Sequence, residues 1–242
     1  MSERFLELPS SRAEVARALT EQPRPQTDNT ATLLGLPEPR QLLRVDLGVL
    51  ASRVRKLAGD PELLLRLRSV VDRWRADEDA EVRRCGEFVL VYLDGVWEDR
   101  AQFHSDSALR SRLLEHPPDG SDKTTEVLIR AIESDVDREI RRSALRGIPS
   151  EPGRGHLRRL VGRLRTEFDR EVRIEAIGLL GTMRTDDPAA IDALKSSAFS
   201  SSADSAEVRA ARRSLLKCSN EHPGILTDSE KETLDQVMRA GR

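Results

Sequence analysis

The chain has 242 residues, with 40 Lys plus Arg against 42 Asp plus Glu, a net charge of −2, 34% charged residues and only 3% aromatic residues. A core must therefore be built from Leu, Val, Ile and Ala, which argues against large rigid aromatic pockets. No run approaches the about 18 apolar residues that a spanning helix needs, Met1-Ser2-Glu3-Arg4-Phe5 has no apolar leader, and Cys85 and Cys218 lie far apart, so a cytoplasmic protein without a structural disulfide or a membrane partner is expected.

In chain order, residues 1–41 offer one short helix, Arg12 to Leu19, with Ser11 and Glu14 spaced as a capping box. Pro9, Pro23, Pro25, Pro37 and Pro39 surround it, which predicts a poorly ordered or partly helical N-terminal extension. Residues 42–242 read as one helical array. A helix from Val45 to Leu57, carrying Leu47, Leu50, Val54 and Leu57, opens it. Then a stretch close to Asp-x-Glu-Val-Arg recurs five times, beginning at Asp79, Asp106, Asp137, Asp169 and Ser205, with steps of 27, 31, 32 and 36 residues. A period of that size marks stacked helical units, which display a long surface rather than enclose a deep core.

Each copy reads as a helix start. The Asp accepts orphan backbone N–H groups of the first turn, and the Glu two residues on sits at the positive end of the helix dipole. The Val, Ile or Leu that follows begins an apolar stripe with helical spacing, and a small residue four positions later (Gly86, Ala144, Ala176) lets a neighbouring helix approach closely. Arg212 takes that place in the last copy, predicting looser packing there. Amphipathic segments Leu63 to Trp74, Thr124 to Ile132, Leu157 to Leu164 and Ile191 to Phe199 precede the copies, so each becomes an antiparallel helix pair. Only the second copy lacks room for a full leading helix. Gly95, Gly147 and Gly181 are read as left-handed caps, Pro117, Pro149 and Pro188 as punctuation, and Ser196 to Ser205 as a loop. A helix from Thr227 to Met238 caps the end.

The recurring Asp-x-Glu-Val-Arg with its small residue resembles the HEAT repeat, specifically the short-period bacterial kind called PBS-lyase-like, over roughly residues 50–217. The resemblance implies an all-α, right-handed superhelical solenoid of about five antiparallel helix pairs. It also implies a structural ladder in which the motif Asp and Arg of successive repeats bond along the turns: Asp79, Arg83, Asp106, Arg110, Asp137, Arg141, Asp169 and Arg173, continued by Ser205 and Arg209.

At about 100° per residue, the positions two and six after the motif Val point away from the core stripe and should line the concave face. The candidate partner-binding residues are Arg84, Phe88, Glu115, Arg142, Arg146 and Ile174, together with Ser111, Gly178, Ala210 and Ser214. Phe88 beside Arg84 and Arg142 has the composition of an interface core, though a phenylalanine there also suits filling a gap between helices. Charge is uneven: residues 61–137 carry 18 acids and 11 bases (net −7), whereas 138–173 carry 11 Arg and 5 acids (net +6). Arg158, Arg159, Arg163 and Arg165 of that basic block are candidate phosphate contacts for a nucleic-acid backbone. Arg outnumbers Lys 35 to 5 throughout, so a compositional origin of the block competes with that reading.

No catalytic constellation is visible. His104, His116, His156 and His222 show no i, i+4 pairing for a metal, and no phosphate loop, nucleophile elbow or Cys-x-x-Cys is present. The expected function is a non-catalytic scaffold or adaptor for another protein, with no cofactor or metal. The alternatives are nucleic-acid binding through the Arg block and, through the resemblance, an enzyme of the phycobilin lyase or HEAT-like DNA glycosylase kind.

Overall fold

The computed structural model describes residues 61–183, 186–200 and 206–240, which form eleven helices and no strand. They are α1 (Pro61–Arg75), α2 (Ala80–Leu93), α3 (Trp97–Phe103), α4 (Ser107–Glu115), α5 (Asp122–Ser134), α6 (Arg138–Gly147), α7 (Arg154–Thr166), α8 (Arg170–Leu180), α9 (Pro188–Ala198), α10 (Ala206–Glu221) and α11 (Asp228–Ala240). The expected helices Arg12 to Leu19 and Val45 to Leu57, the boundary at residue 41 and the Ser205 cap lie outside the described residues. The chain divides into two compact units, Met1–Arg100 and Ala101–Arg242, and the division falls within α3. That helix has seven residues, as the short spacing of the second copy requires.

In the first unit α1 and α2 form one pair around Leu67, Val70, Val71, Trp74, Val82 and Val89, all buried. Gly86 is needed here, since a Cβ on it would meet Arg75 Cγ at 3.0 Å and the Arg75 backbone nitrogen at 3.1 Å. In the second unit the helices sort into two layers. The motif helices α4, α6, α8 and α10 pack on one another in sequence, and α5, α7 and α9 do the same behind them. Leu128, Ile132, Ile140, Ala144, Leu145, Leu160, Ile177 and Leu194 lie buried between the layers.

Every described motif aspartate is an N-cap. Asp79 accepts from Glu81 N–H, Asp106 from Ala108 and Leu109 N–H, Asp137 from Glu139 N–H, and Asp169 from Glu171 and Val172 N–H. The last two bonds hold the Asp169 carboxyl below its ordinary range. The closing helix α11 begins with a reciprocal box in which Thr227 Oγ1 accepts from Glu230 N–H while Glu230 Oε2 accepts from Thr227 N–H.

Several sequence expectations need correction. Of the three glycines read as left-handed caps only Gly95 has positive φ, at 66°. Gly147 and Gly181 are needed for contact instead: a Cβ would stand 2.0 Å from Leu114 O in the first case and 2.3 Å from Ser214 Cβ in the second. These are the points where α6 meets α4 and the end of α8 meets α10. Arg212 does not loosen the last pair. It is buried, and its Nε donates to Ala198 O at the end of α9, so the long side chain satisfies a helix terminus rather than holding two helices apart. Ser196 and Ser197 continue α9 rather than begin a loop.

Candidate interaction face

Three of the motif arginines, Arg110, Arg141 and Arg173, form rungs between repeats, but their carboxylate partners are not the motif aspartates, which serve as caps. Arg110 Nη2 donates to Asp135 at 2.8 Å, and Arg141 grips Glu167 with two bonds of 2.9 and 3.0 Å. Asp135 and Glu167 stand two residues before the next motif aspartate, whose N–H each also accepts (Asp137 to Asp135, 2.9 Å; Asp169 to Glu167, 2.9 Å). Arg173 reaches Glu207 at 3.0 Å instead, because Ala203 holds the equivalent place in the last copy. Arg83, Arg141 and Arg173 also clamp the turns before their own helices. Arg83 Nη1 donates to the carbonyls of Asp77 and Glu78, Arg141 to those of Asp135 and Val136, and Arg173 to those of Glu167 and Phe168.

Among these rungs Glu167 is the most enclosed, with 3% of its side chain exposed. Burial pushes its carboxyl up, but the Asp169 N–H and the Arg141 guanidinium outweigh burial and hold it below the ordinary carboxylate value. Arg163 adds a further contact at 2.9 Å. The sequence carried a signal for this row that the motif reading missed: an acid two residues before the cap recurs as Asp77, Asp135 and Glu167.

A second polar row crosses α4, α6 and α8 on the face expected to meet a partner. Arg146 Nη1 donates to Glu115 at 2.7 Å and its Nε to Glu175 at 3.2 Å, so one guanidinium joins carboxylates from the helices on either side. Those two acids, Glu115 foremost, raise the affinity of Arg146 for its proton. Arg142 lies 3.6 Å from Glu175 and bonds Glu139, while Ser143 Oγ bonds both Glu115 at 3.2 Å and Ser111 at 2.5 Å. Arg146 keeps 43% of its side chain exposed. Glu115, Ser111, Arg142 and Arg146, all expected on one face, are thus brought together, and Glu175 and Ser143, which the helical spacing did not point to, join them.

Other candidates fall elsewhere. Phe88 is only 1% exposed and packs against Tyr92 in a tilted pair with ring centroids 4.9 Å apart, so it fills a core and is not an exposed anchor. Ala210 and Ser214 are buried, the latter donating to Ile177 O, because α10 turns this side toward α8. Arg84 pairs with Glu81 within α2, and Ile174 is half-buried. Gly178 stands in α8 six residues after the motif Val172, and a Cβ there would meet nothing within 4 Å.

The basic block is partly neutralised from within. Arg159 chelates Glu133 and Glu126 on α5, and Arg163 bonds Glu167 and the Ile132 carbonyl. Arg159, chiefly through its bond to Glu133, is held charged well beyond the ordinary arginine range. Arg158 and Arg165 are exposed on the opposite side of α7, and no carboxylate among the described residues pairs with them. Among the described residues no group of three or more His, Cys, Asp or Glu is placed to hold a metal ion, and no helix is long and apolar enough to cross a membrane.

Residues 121–217 match the family model for HEAT repeats, a stretch running from the Ser121 cap of α5 into α10. No curated protein matches the chain.

Proposed function

We propose that the chain, whose residues 121–217 match the family model for HEAT repeats, is a helical repeat scaffold that works without catalysis in the cytoplasm, holding a protein partner against the row of Glu115, Arg142, Arg146 and Glu175. The observation that carries this reading is Gly178. A glycine inside a helix costs about 0.5 to 1 kcal/mol relative to alanine, and it is retained where backbone must come close to something. The space around Gly178 is open, and α8 presents it on the side that carries the ionic row. That row is fixed by bonds between three helices, so its charges are set before a partner arrives and little ordering entropy is lost on docking. The two buried thiols, Cys85 and Cys218, suit a reducing compartment.

The test is affinity capture from the native host, with nuclease treatment and at low and high salt, using the wild-type chain, Gly178→Gln and Arg146→Glu. A stoichiometric protein held through nuclease and salt by the wild type, and lost by both variants while their helical circular dichroism is unchanged, is the expected result. Equal capture by all three would remove this face from consideration. A second reading, phosphate-backbone binding, is favoured by Arg158 and Arg165, which flank the equally open Gly162. It forecasts recovery of nucleic acid alone, lost steeply as salt rises.

A further inference from the structure

The turns that enter α6 and α8 expose Val136 at 96% and Phe168 at 93%. Both stand immediately before the motif aspartate of consecutive repeats, where the first two copies carry Glu78 and Ser105. The fold does not need an apolar side chain at this position, for the turn before α2 is closed by the same arginine clamp around Glu78 that closes the others around Val136 and Phe168. The residue after the aspartate changes in step: Ala80 and Ser107 in the first two copies become Arg138 and Arg170, both exposed. The two turns are neighbours, since Arg141 of one grips Glu167 of the other and Arg138 lies 3.7 Å from Asp169. The clamped carbonyls stop either turn from rearranging to hide its side chain. Arg165, also exposed, lies on the last turn of α7 just before Phe168.

We propose that this edge is a docking site for an extended, acidic segment of a partner protein, whose apolar side chains meet Val136 and Phe168 and whose carboxylates meet Arg138, Arg170 and Arg165. Apolar and basic residues replace small or acidic ones together in these two turns, so the complementary ligand is both apolar and negatively charged. Neighbouring repeat helices lie about 8–10 Å apart, which an extended chain covers in about three residues at about 3.3 Å each, so the ligand's two apolar residues stand two to four positions apart. Preformed anchors on a rigid turn bind with little loss of conformational freedom. The site is separate from the ionic row on α4, α6 and α8 and stands whether or not that row binds a partner.

The test pans a display library of random peptides, about 12 residues long so as to reach both turns, on the purified full chain. The comparison protein is Val136→Glu with Phe168→Ser, which installs the residues of the first two copies and so respects the turn. Arg138→Ala with Arg170→Ser is a second, independently folded check built the same way. The expected result is enrichment of acidic peptides with two apolar residues two to four apart, whose affinity by fluorescence anisotropy falls about tenfold or more on either double variant. Enrichment without acidic and apolar character, no enrichment, or affinity unchanged in variants with wild-type circular dichroism overturns the proposal. So does tight binding of an oligothymidylate that the same variants abolish, because that assigns the edge to nucleic acid.

Discussion

Arg141 and Arg142 are adjacent in sequence yet belong to two regions built on different principles. Arg141 points into the turn side, where it is buried against Glu167 and closes two backbone carbonyls. Arg142 points to the helix face, where it shares Glu175 with Arg146 in partial contact with water. α7 repeats the division, with Arg159 chelated by Glu126 and Glu133 while Arg158 beside it stays exposed. One residue type at one spacing therefore serves as a structural clamp or as a displayed charge, and a step of about 100° around the helix decides which. Counting arginines in residues 138–173 overstates the charge available to a ligand.

Substitutions that act on one region and spare the other test this division. The largest effect is expected from Glu167→Gln, which leaves the buried Arg141 guanidinium without its counter-charge and should cost about 3 kcal/mol in thermal or denaturant unfolding. The same group gives a pH signature. Its folded-state carboxyl lies below the unfolded value, so its contribution is complete above about pH 4.3 and is lost as pH falls through the lower folded value. Acidification below that point should lower the wild-type melting temperature, and Glu167→Gln should lack this component. A variant as stable as the wild type, with the same acid sensitivity, would break the distinction between clamp and display.

Glycines sharpen the same contrast. Gly147→Ala would drive a methyl group to 2.0 Å from the Leu114 carbonyl, and since backbone cannot yield like a flexible side chain, a loss of about 1 to 3 kcal/mol is expected. Gly178→Ala on the face meets only open space and should stabilise the chain by about 0.5 to 1 kcal/mol. A pair of melting curves reads both, and shifts of the same sign would contradict the assignment. Asp137→Ala comes next: it removes the cap bond to Glu139 N–H and should cost about 0.5 to 2 kcal/mol by the same measurement.

How much of this was legible in the sequence depended on the range of the interaction. The aspartate caps at Asp79, Asp106, Asp137 and Asp169, the described helix pairs and the short α3 follow from local periodicity and from the spacing of copies, and they stand where the pattern put them. The ladder was half legible. Its arginines were in the motif and the acids Asp135 and Glu167 recur two residues before the caps, but which arginine each acid meets, and the use of Glu207 in the last copy, emerge only once consecutive turns are placed side by side. Phe88 took the gap-filling one of its two readings, because the position six residues after the motif Val points away from its own helix's stripe, whereas burial depends on everything packed around it. Gly147 and Gly181 misled because a glycine required by contact between helices looks, in sequence, like one required by a left-handed turn.

The smallest stability effect is expected on the face. Arg146→Met removes two ion pairs, but each acid keeps another partner: Glu115 still accepts from Ser143 Oγ, and Glu175 still lies near Arg142. The guanidinium is also substantially exposed, so water already screens it and the cost should stay below about 1 kcal/mol. Arg141→Met, the same chemical change on the turn side, removes the clamp on two carbonyls and two of the bonds to a buried carboxylate that keeps only Asp169 N–H and Arg163, and should lose several times more. Measured side by side in denaturant, a large difference between the two variants establishes that the face carries charge the fold can spare, as a surface kept for a partner must. Equal losses would make the row across α4, α6 and α8 a second structural ladder, leaving the edge at Val136 and Phe168 as the surface whose side chains the fold does not use.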